Sequence, residues 1–161
     1  MVKFVEDGEM KFIANGMLGS LARWLRLLGF DTEYFSGKDK YFLAYNARKE
    51  SRMVLTRDRK FVVQYPVISL LIESENLRQQ LKEVKDKLNL HFSPELFFTR
   101  CNICNNILQP KNISDVIEFV PEYVAKTQTH FSYCNVCGRI YWQGTHWQRM
   151  LDFIKSIESN E

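Results

Sequence analysis

Lys11-Phe-Ile-Ala14, then Asn15-Gly16, then Leu18-Gly-Ser-Leu-Ala-Arg-Trp-Leu-Arg-Leu-Leu28 carries the first architectural signal of this chain. A short apolar run that stops at a turn-forming pair reads as a buried strand. The apolar residues that follow, at 18, 21, 24, 25 and 28, recur with helical spacing, and Gly29 is placed to cap the helix end. Working outward, Asp31–Phe35 predicts a second strand. Tyr41–Arg48 predicts a helix with Asp39 near its start, and Met53–Thr56 a third strand closed by Arg57-Asp58. Val67–Ile72 reads as a fourth strand, and Asn76–Leu88 as a helix with Leu77, Leu81, Val84 and Leu88 on one face. Strand, helix, strand, helix, strand, strand, helix is an α/β pattern with a mainly parallel sheet. In such sheets sites lie outside the carboxyl ends of the strands, where Asn15 and Asp58 fall.

The chain of 161 residues has room for one ordinary domain, or a small one with an appendage. Its 45% hydrophobic and 25% charged residues exclude the disordered and fibrous classes. The longest apolar run, Val67-Ile-Ser-Leu-Leu-Ile72, is too short to cross a bilayer. Met1-Val-Lys-Phe-Val-Glu-Asp7 has neither the basic end nor the apolar stretch of a signal peptide. A cytoplasmic protein without membrane association is therefore expected. The net charge of +3 is mild, but residues 48–60 hold six cations against two acids. That run suits a polyanion, or equally an ordinary solvated face. A composition change near Ser93-Pro94 divides the chain into predicted domains at 1–98 and 99–161. Residues 146–158, with Trp147, Met150, Leu151, Ile154 and Ile157, predict a terminal amphipathic helix.

All four cysteines lie in two pairs, Cys101-Asn-Ile-Cys104 and Cys134-Asn-Val-Cys137. Two residues between thiolates let a tight turn aim both sulfurs at one ion, and two such turns complete a tetrahedral site. Structural zinc is the expected occupant. Disulfides suit a chain without a leader poorly. Redox chemistry calls for one pair on a helix start, and an iron–sulfur centre is a further alternative. A two- or three-stranded insert is expected between the pairs. Four thiolates leave no open position, so this centre is expected to stabilise a small ribbon rather than catalyse.

Hydrolysis of a phosphodiester without a covalent intermediate needs an activated water and a neutralised leaving oxygen, which clustered acids holding Mg²⁺ or Mn²⁺ supply. Asp39 and Asp58 are the candidates, with Asp31, Glu33 and Glu50 weaker ones. Each of these acids can equally be a helix cap or a surface ion pair.

Phe12 to Asp31, Leu55-Thr-Arg-Asp58 and the cysteine pairs with Cys137-Gly-Arg-Ile-Tyr-Trp-Gln-Gly-Thr-His-Trp147 together resemble the Mut-seven C-terminal RNase family, over residues 11 to 151. The resemblance implies a PIN-like three-layer α/β/α nuclease domain followed by a zinc ribbon and terminal helix. It further implies a divalent-metal site and RNA as substrate, with tRNA or another structured RNA among the choices. Carried over by position, the family acids fall at Asn15, Asp39 and Asp58. The family has Asp where this chain has Asn15, which removes one negative charge and is expected to weaken hydrolysis. An engineered inactive form, a natural binding-only relative and sufficiency of the remaining acids are the competing explanations. Asn15-Gly16 is also a pair prone to deamidation.

With the resemblance in place, Arg23, Arg26, Arg57 and Arg59 are candidates to grip flanking phosphates. Arg139, Tyr141, Trp142 and His146 follow the last cysteine pair and suit single-stranded RNA, or equally a structural seal of the ribbon. Two non-catalytic rivals are an RNA-binding module and a zinc-ribbon adaptor for a protein partner.

Overall fold

The computed structural model describes residues 9–159; the leader reading of residues 1–7 lies outside them. By internal packing the chain forms two compact units, one ending at Asn105 and one beginning at Asn106.

The first unit runs β1 (Lys11–Asn15), α1 (Gly19–Leu27), β2 (Asp31–Phe35), α2 (Lys40–Lys49), β3 (Met53–Thr56), α3 (Arg59–Gln64), β4 (Ser69–Leu71) and α4 (Leu77–Leu88). The strands form one sheet in the order β2-β1-β3-β4, all parallel. Two details correct the sequence reading. The fourth strand is shorter than 67–72, and a helix, α3, lies between β3 and β4 where none was expected. Its six residues are too few to show a 3.6-residue period. Its start is nevertheless encoded, because the Asp58 side chain accepts from the Lys60 and Phe61 amides.

Alternation along the strands sorts side chains onto two faces. Ile13 and Val54 pack with Leu43, Ala44 and Ala47 of α2 and Phe61 of α3. Phe12, Ala14 and Leu55 are also fully buried, as are Leu21 and Leu25 of α1 and Leu81 and Val84 of α4, two helices that contact each other. The result is three layers, helix, sheet and helix. Each such leucine or phenylalanine contributes about 1.5–3 kcal/mol by leaving water. Gly29 ends α1 at φ +96°, and a side chain there would meet the Leu96 carbonyl oxygen at 2.5 Å, so glycine is required twice over.

β2 is an edge strand, yet its outward peptide at Thr32 is fully buried. The Thr32 N–H donates to Asn105 Oδ1 at 2.9 Å, and its carbonyl accepts from Arg26 Nε at 2.7 Å. Arg26 also donates to the Asn102 and Ile103 carbonyls, at 3.2 and 2.9 Å. Asn105 Nδ2 reaches Asp31 Oδ1 at 2.7 Å. These two polar side chains close the sheet edge.

The second unit contains β5 (Gln109–Lys111), α5 (Ile113–Val116), α6 (Glu122–Thr127), β6 (Phe131–Tyr133), β7 (Ile140–Trp142) and α7 (Thr145–Glu158). Its sheet is antiparallel in the order β5-β6-β7. The insert between the cysteine pairs therefore holds two short helices as well as strands, a correction to the all-strand expectation. Val116, Val120 and Val124 gather with Phe131 into a small core against which Trp142 packs.

Replacing Asn105 by Ala leaves the Thr32 amide buried without an acceptor. At φ +71° it also puts Ala where Asn is better tolerated. A loss of about 2–3 kcal/mol is expected, read as a lowered midpoint in urea unfolding. A second expectation concerns acid. Burial pushes the Glu83 carboxyl up, but Lys87 and the Glu73 and Ser74 amides more than reverse this and bring it to about 2 from 4.5. A depressed folded pKa contributes stability that is present above 4.5 and lost as pH falls toward 2. The drop in Tm between pH 5 and pH 2 should accordingly be smaller in Glu83→Gln than in the parent.

Candidate functional site

Neighbouring parallel strands end side by side, so the pairing of β1 with β3 sets Asn15 beside Thr56. Asn15 Nδ2 donates to Thr56 Oγ1 at 3.3 Å, and the same hydroxyl accepts from the Asp58 amide at 3.0 Å. One threonine thus joins the two strand ends. Asp58 uses Oδ1 to cap α3, while Oδ2 is paired with the Lys40 ammonium. Lys40 follows Asp39, whose carboxylate caps α2 by accepting from the Phe42 amide at 3.1 Å. The loop after Asn15 is tied to β2. Gly16 N donates to the Phe35 carbonyl at 3.1 Å, and the Tyr34 hydroxyl donates to the Gly16 carbonyl. The hydrogen bond from Lys40, helped by the Phe61 and Lys60 amides, holds the Asp58 carboxyl below its ordinary range.

Sequence reasoning missed Lys40 and Thr56. Thr56 had a readable signal, since a threonine two residues before an aspartate at a strand end commonly accepts that residue's amide. Lys40 had none. Asn15, Thr56 and Asp58 are brought together by hydrogen bonds, and Asp39 is placed at the start of α2 next to Lys40, the partner of Asp58. Carboxylate, amide and hydroxyl oxygens are the hard donors that Mg²⁺ or Mn²⁺ takes, so the residues fit such an ion in kind. In charge they fall short of a three-acid set, with two carboxylates, one of them already neutralised by an ammonium.

The weaker acids lie elsewhere. Asp31, Glu50 and Glu33 face Arg52, with contacts of 2.7, 2.6 and 4.0 Å, toward the amino ends of the strands. Burial raises the Asp31 carboxyl, and hydrogen bonds from Arg52 and Asn105 more than offset it, leaving it lowered. Arg26, expected at phosphate, is instead buried, with its guanidinium on three carbonyls. Burial lowers its pKa, and Glu33 and the cysteines partly restore it. The cation-rich run 48–60 is not one patch. Arg48 and Lys49 end α2, Arg52 is enclosed, and Arg57, Arg59 and Lys60 sit at the opposite end of β3. Arg23 is exposed and lines an open cleft of about 580 Å³ with Glu33, Tyr34 and Cys104. Arg57 lies 4.0 Å from Glu75, and the exposed Arg59 pairs with Glu73 at 2.8 Å.

In the second unit Arg139 is exposed in the turn before β7, and His146 is exposed in the first turn of α7. Tyr141 is half-buried. Trp142 is half-buried and packs against the valine cluster, which gives it a part in the ribbon core.

Each cysteine pair forms the same knuckle. The amide of the residue after the second cysteine returns to the carbonyl of the first, Asn105 to Cys101 at 2.9 Å and Gly138 to Cys134 at 2.8 Å. Both residues take left-handed backbone, φ +71° and +69°. The Cys137 amide donates to Cys134 Sγ at 3.4 Å. All four sulfurs are free of disulfides and lie within 4.8 Å of one another. Four ligands on zinc stand about 3.8 Å apart, so the cluster has the size and donor chemistry of a structural zinc site.

No curated protein and no solved structure matches the chain. A family model does: the Mut7-C RNAse domain, over residues 10–154. With the α/β unit, its strand-end polar cluster and the four-cysteine centre in place, this match over nearly the whole sequence shows that the chain belongs to the Mut7-C RNAse domain family.

Proposed function

We propose that the protein is a divalent-metal-dependent ribonuclease whose catalytic centre is the polar cluster of Asn15, Asp39 and Asp58, attenuated here by the amide at position 15. Catalysis is assigned to residues 1–98 and zinc-dependent stability to 99–161, in a reducing, cytoplasmic setting that keeps thiolates available to metal. The observation that carries this reading is the Asn15–Thr56–Asp58 linkage at the carboxyl ends of adjacent parallel strands, in a chain of an RNase family.

Asp39 and Asp58 would hold Mg²⁺ or Mn²⁺, which when bound supplies positive charge to activate water and steady the leaving oxygen. The chain's own residues do the rest. Thr56 fixes the side chain at position 15 against β3. Asp58 and Asp39 are oriented by the helix amides they cap. Lys40 holds the Asp58 carboxylate ionised and occupies it with an ammonium that a dication must displace. Arg23, Arg57 and Arg59 are assigned to flanking phosphates, with Arg139, Tyr141 and His146 as further RNA contacts; tRNA or another structured RNA is the proposed target. A second reading, a non-catalytic RNA-binding module, is favoured by the missing charge at Asn15 together with the lysine on Asp58.

Asn15→Asp separates the two. It is expected to raise cleavage of RNA in Mn²⁺ or Mg²⁺ by about a hundredfold over the parent, with loss in EDTA. No gain means the module reading holds. For the cysteine centre, about one zinc per chain is expected by metal analysis. Cys101→Ala should lose that zinc and lower Tm, whereas Asp58→Ala should retain it.

A further inference from the structure

The outer face of α2 is aromatic and has no neighbour among the described residues to account for it. The helix buries Leu43, Ala44 and Ala47, yet Tyr41, Phe42 and Tyr45 on its other side are 72%, 51% and 52% exposed. These rings are ordered against one another. Phe42 and Tyr45 are stacked, with centroids 6.5 Å apart and planes 18° from parallel. Phe35, at the end of β2, continues the row at 6.1 Å from Phe42. The row begins at the candidate site. Phe35 is the register partner of Asn15, and the Phe42 amide is the group that Asp39 caps. Exposed contiguous aromatic surface is costly in water and marks a binding face.

Charge identifies the partner. No acid occurs between Lys40 and Lys49, and Lys38, Arg48 and Lys49 stand exposed beside the rings. Arg48 donates to the Pro66 carbonyl at 3.0 Å, a neutral acceptor. Glu50, the nearest following acid, is engaged by Arg52. Flat rings beside exposed cations suit a ligand that offers both π-faces and phosphates, which is single-stranded nucleic acid. Duplex RNA keeps its bases stacked on each other and has little to offer the rings.

We infer that the outer face of α2, built on Phe42, Tyr45 and Tyr41 with Lys38, Arg48 and Lys49, is a stacking platform for single-stranded RNA leading to the candidate site. This deepens the ribonuclease reading and rests on it for the polarity of the path. The platform selects unpaired strands, so a structured RNA is engaged at a loop or a tail.

The test is binding of the full chain to a fluorescently labelled oligouridine, followed by anisotropy, with an RNA duplex as comparison. Phe42→Ala combined with Tyr45→Ala is expected to weaken oligouridine binding roughly tenfold or more while changing duplex binding little. Phe42→Trp with Tyr45→Trp is expected to retain affinity, and both pairs should keep the parent Tm because the rings lie outside the core. Lys38→Gln with Lys49→Gln should weaken binding and flatten its salt dependence. Oligouridine binding unchanged in the Ala pair overturns the inference, as does equal loss for duplex and single strand. So does a dimer of the parent chain that dissociates in the Ala pair, which would make the rings an interface between copies. In the Asn15→Asp background, the Ala pair should slow cleavage of a long single strand and leave a dinucleotide unaffected. Absence of all cleavage there refutes the nuclease reading alone, since the binding comparison does not depend on it.

Discussion

The backbone of Thr32 is the constraint on which much of the first unit depends. An edge strand ordinarily offers its outer amides to water or to another chain, but this peptide is sealed from solvent, so both of its groups must be satisfied internally. Asn105 accepts from its N–H and Arg26 donates to its carbonyl. Once β2 is fixed, Tyr34 and Phe35 can hold the loop after Asn15 against the neighbouring strand end. The strand that carries the sealed peptide is thus the same one that anchors the loop beside the polar cluster.

Double use of side chains is a theme of the site. Asp39 and Asp58 each cap a helix through one carboxylate, and Thr56 serves a backbone amide and a side-chain amide with one hydroxyl. A cap fixes a carboxylate's rotamer and leaves its second oxygen for other work. The same economy governs Arg26, a helix residue whose guanidinium holds a strand and a knuckle at once.

The sheet, its parallel sense and most helices were legible because their apolar residues recur at the periods of strand and helix. α3 escaped because six residues do not complete two turns, so no helical period marks it. The cysteine centre was legible from spacing alone, since two tight turns need nothing from the rest of the chain. Arg26 was misread because sequence spacing says which residues share a helix side but not whether that side meets solvent. Asn105 and Lys40 were invisible for a related reason: their partners lie far away in the chain, 73 residues in the case of Thr32, and no local pattern records such a pairing. The aromatic run of α2 was in plain view, but a ring counts equally as core or as surface until its exposure is known.

The left-handed turn at Asn105 is also the last step of a metal-binding knuckle, so the residue that shields the sheet edge is shaped by the sulfur cluster beside it. Were that turn to lose its order, the cover over β2 would go with it. What is then uncovered is a bare ladder of peptide groups, the form of surface that recruits like strands from other molecules. The cysteine knuckle and the sheet edge therefore share one residue, and disorder at the first would expose the second to another chain.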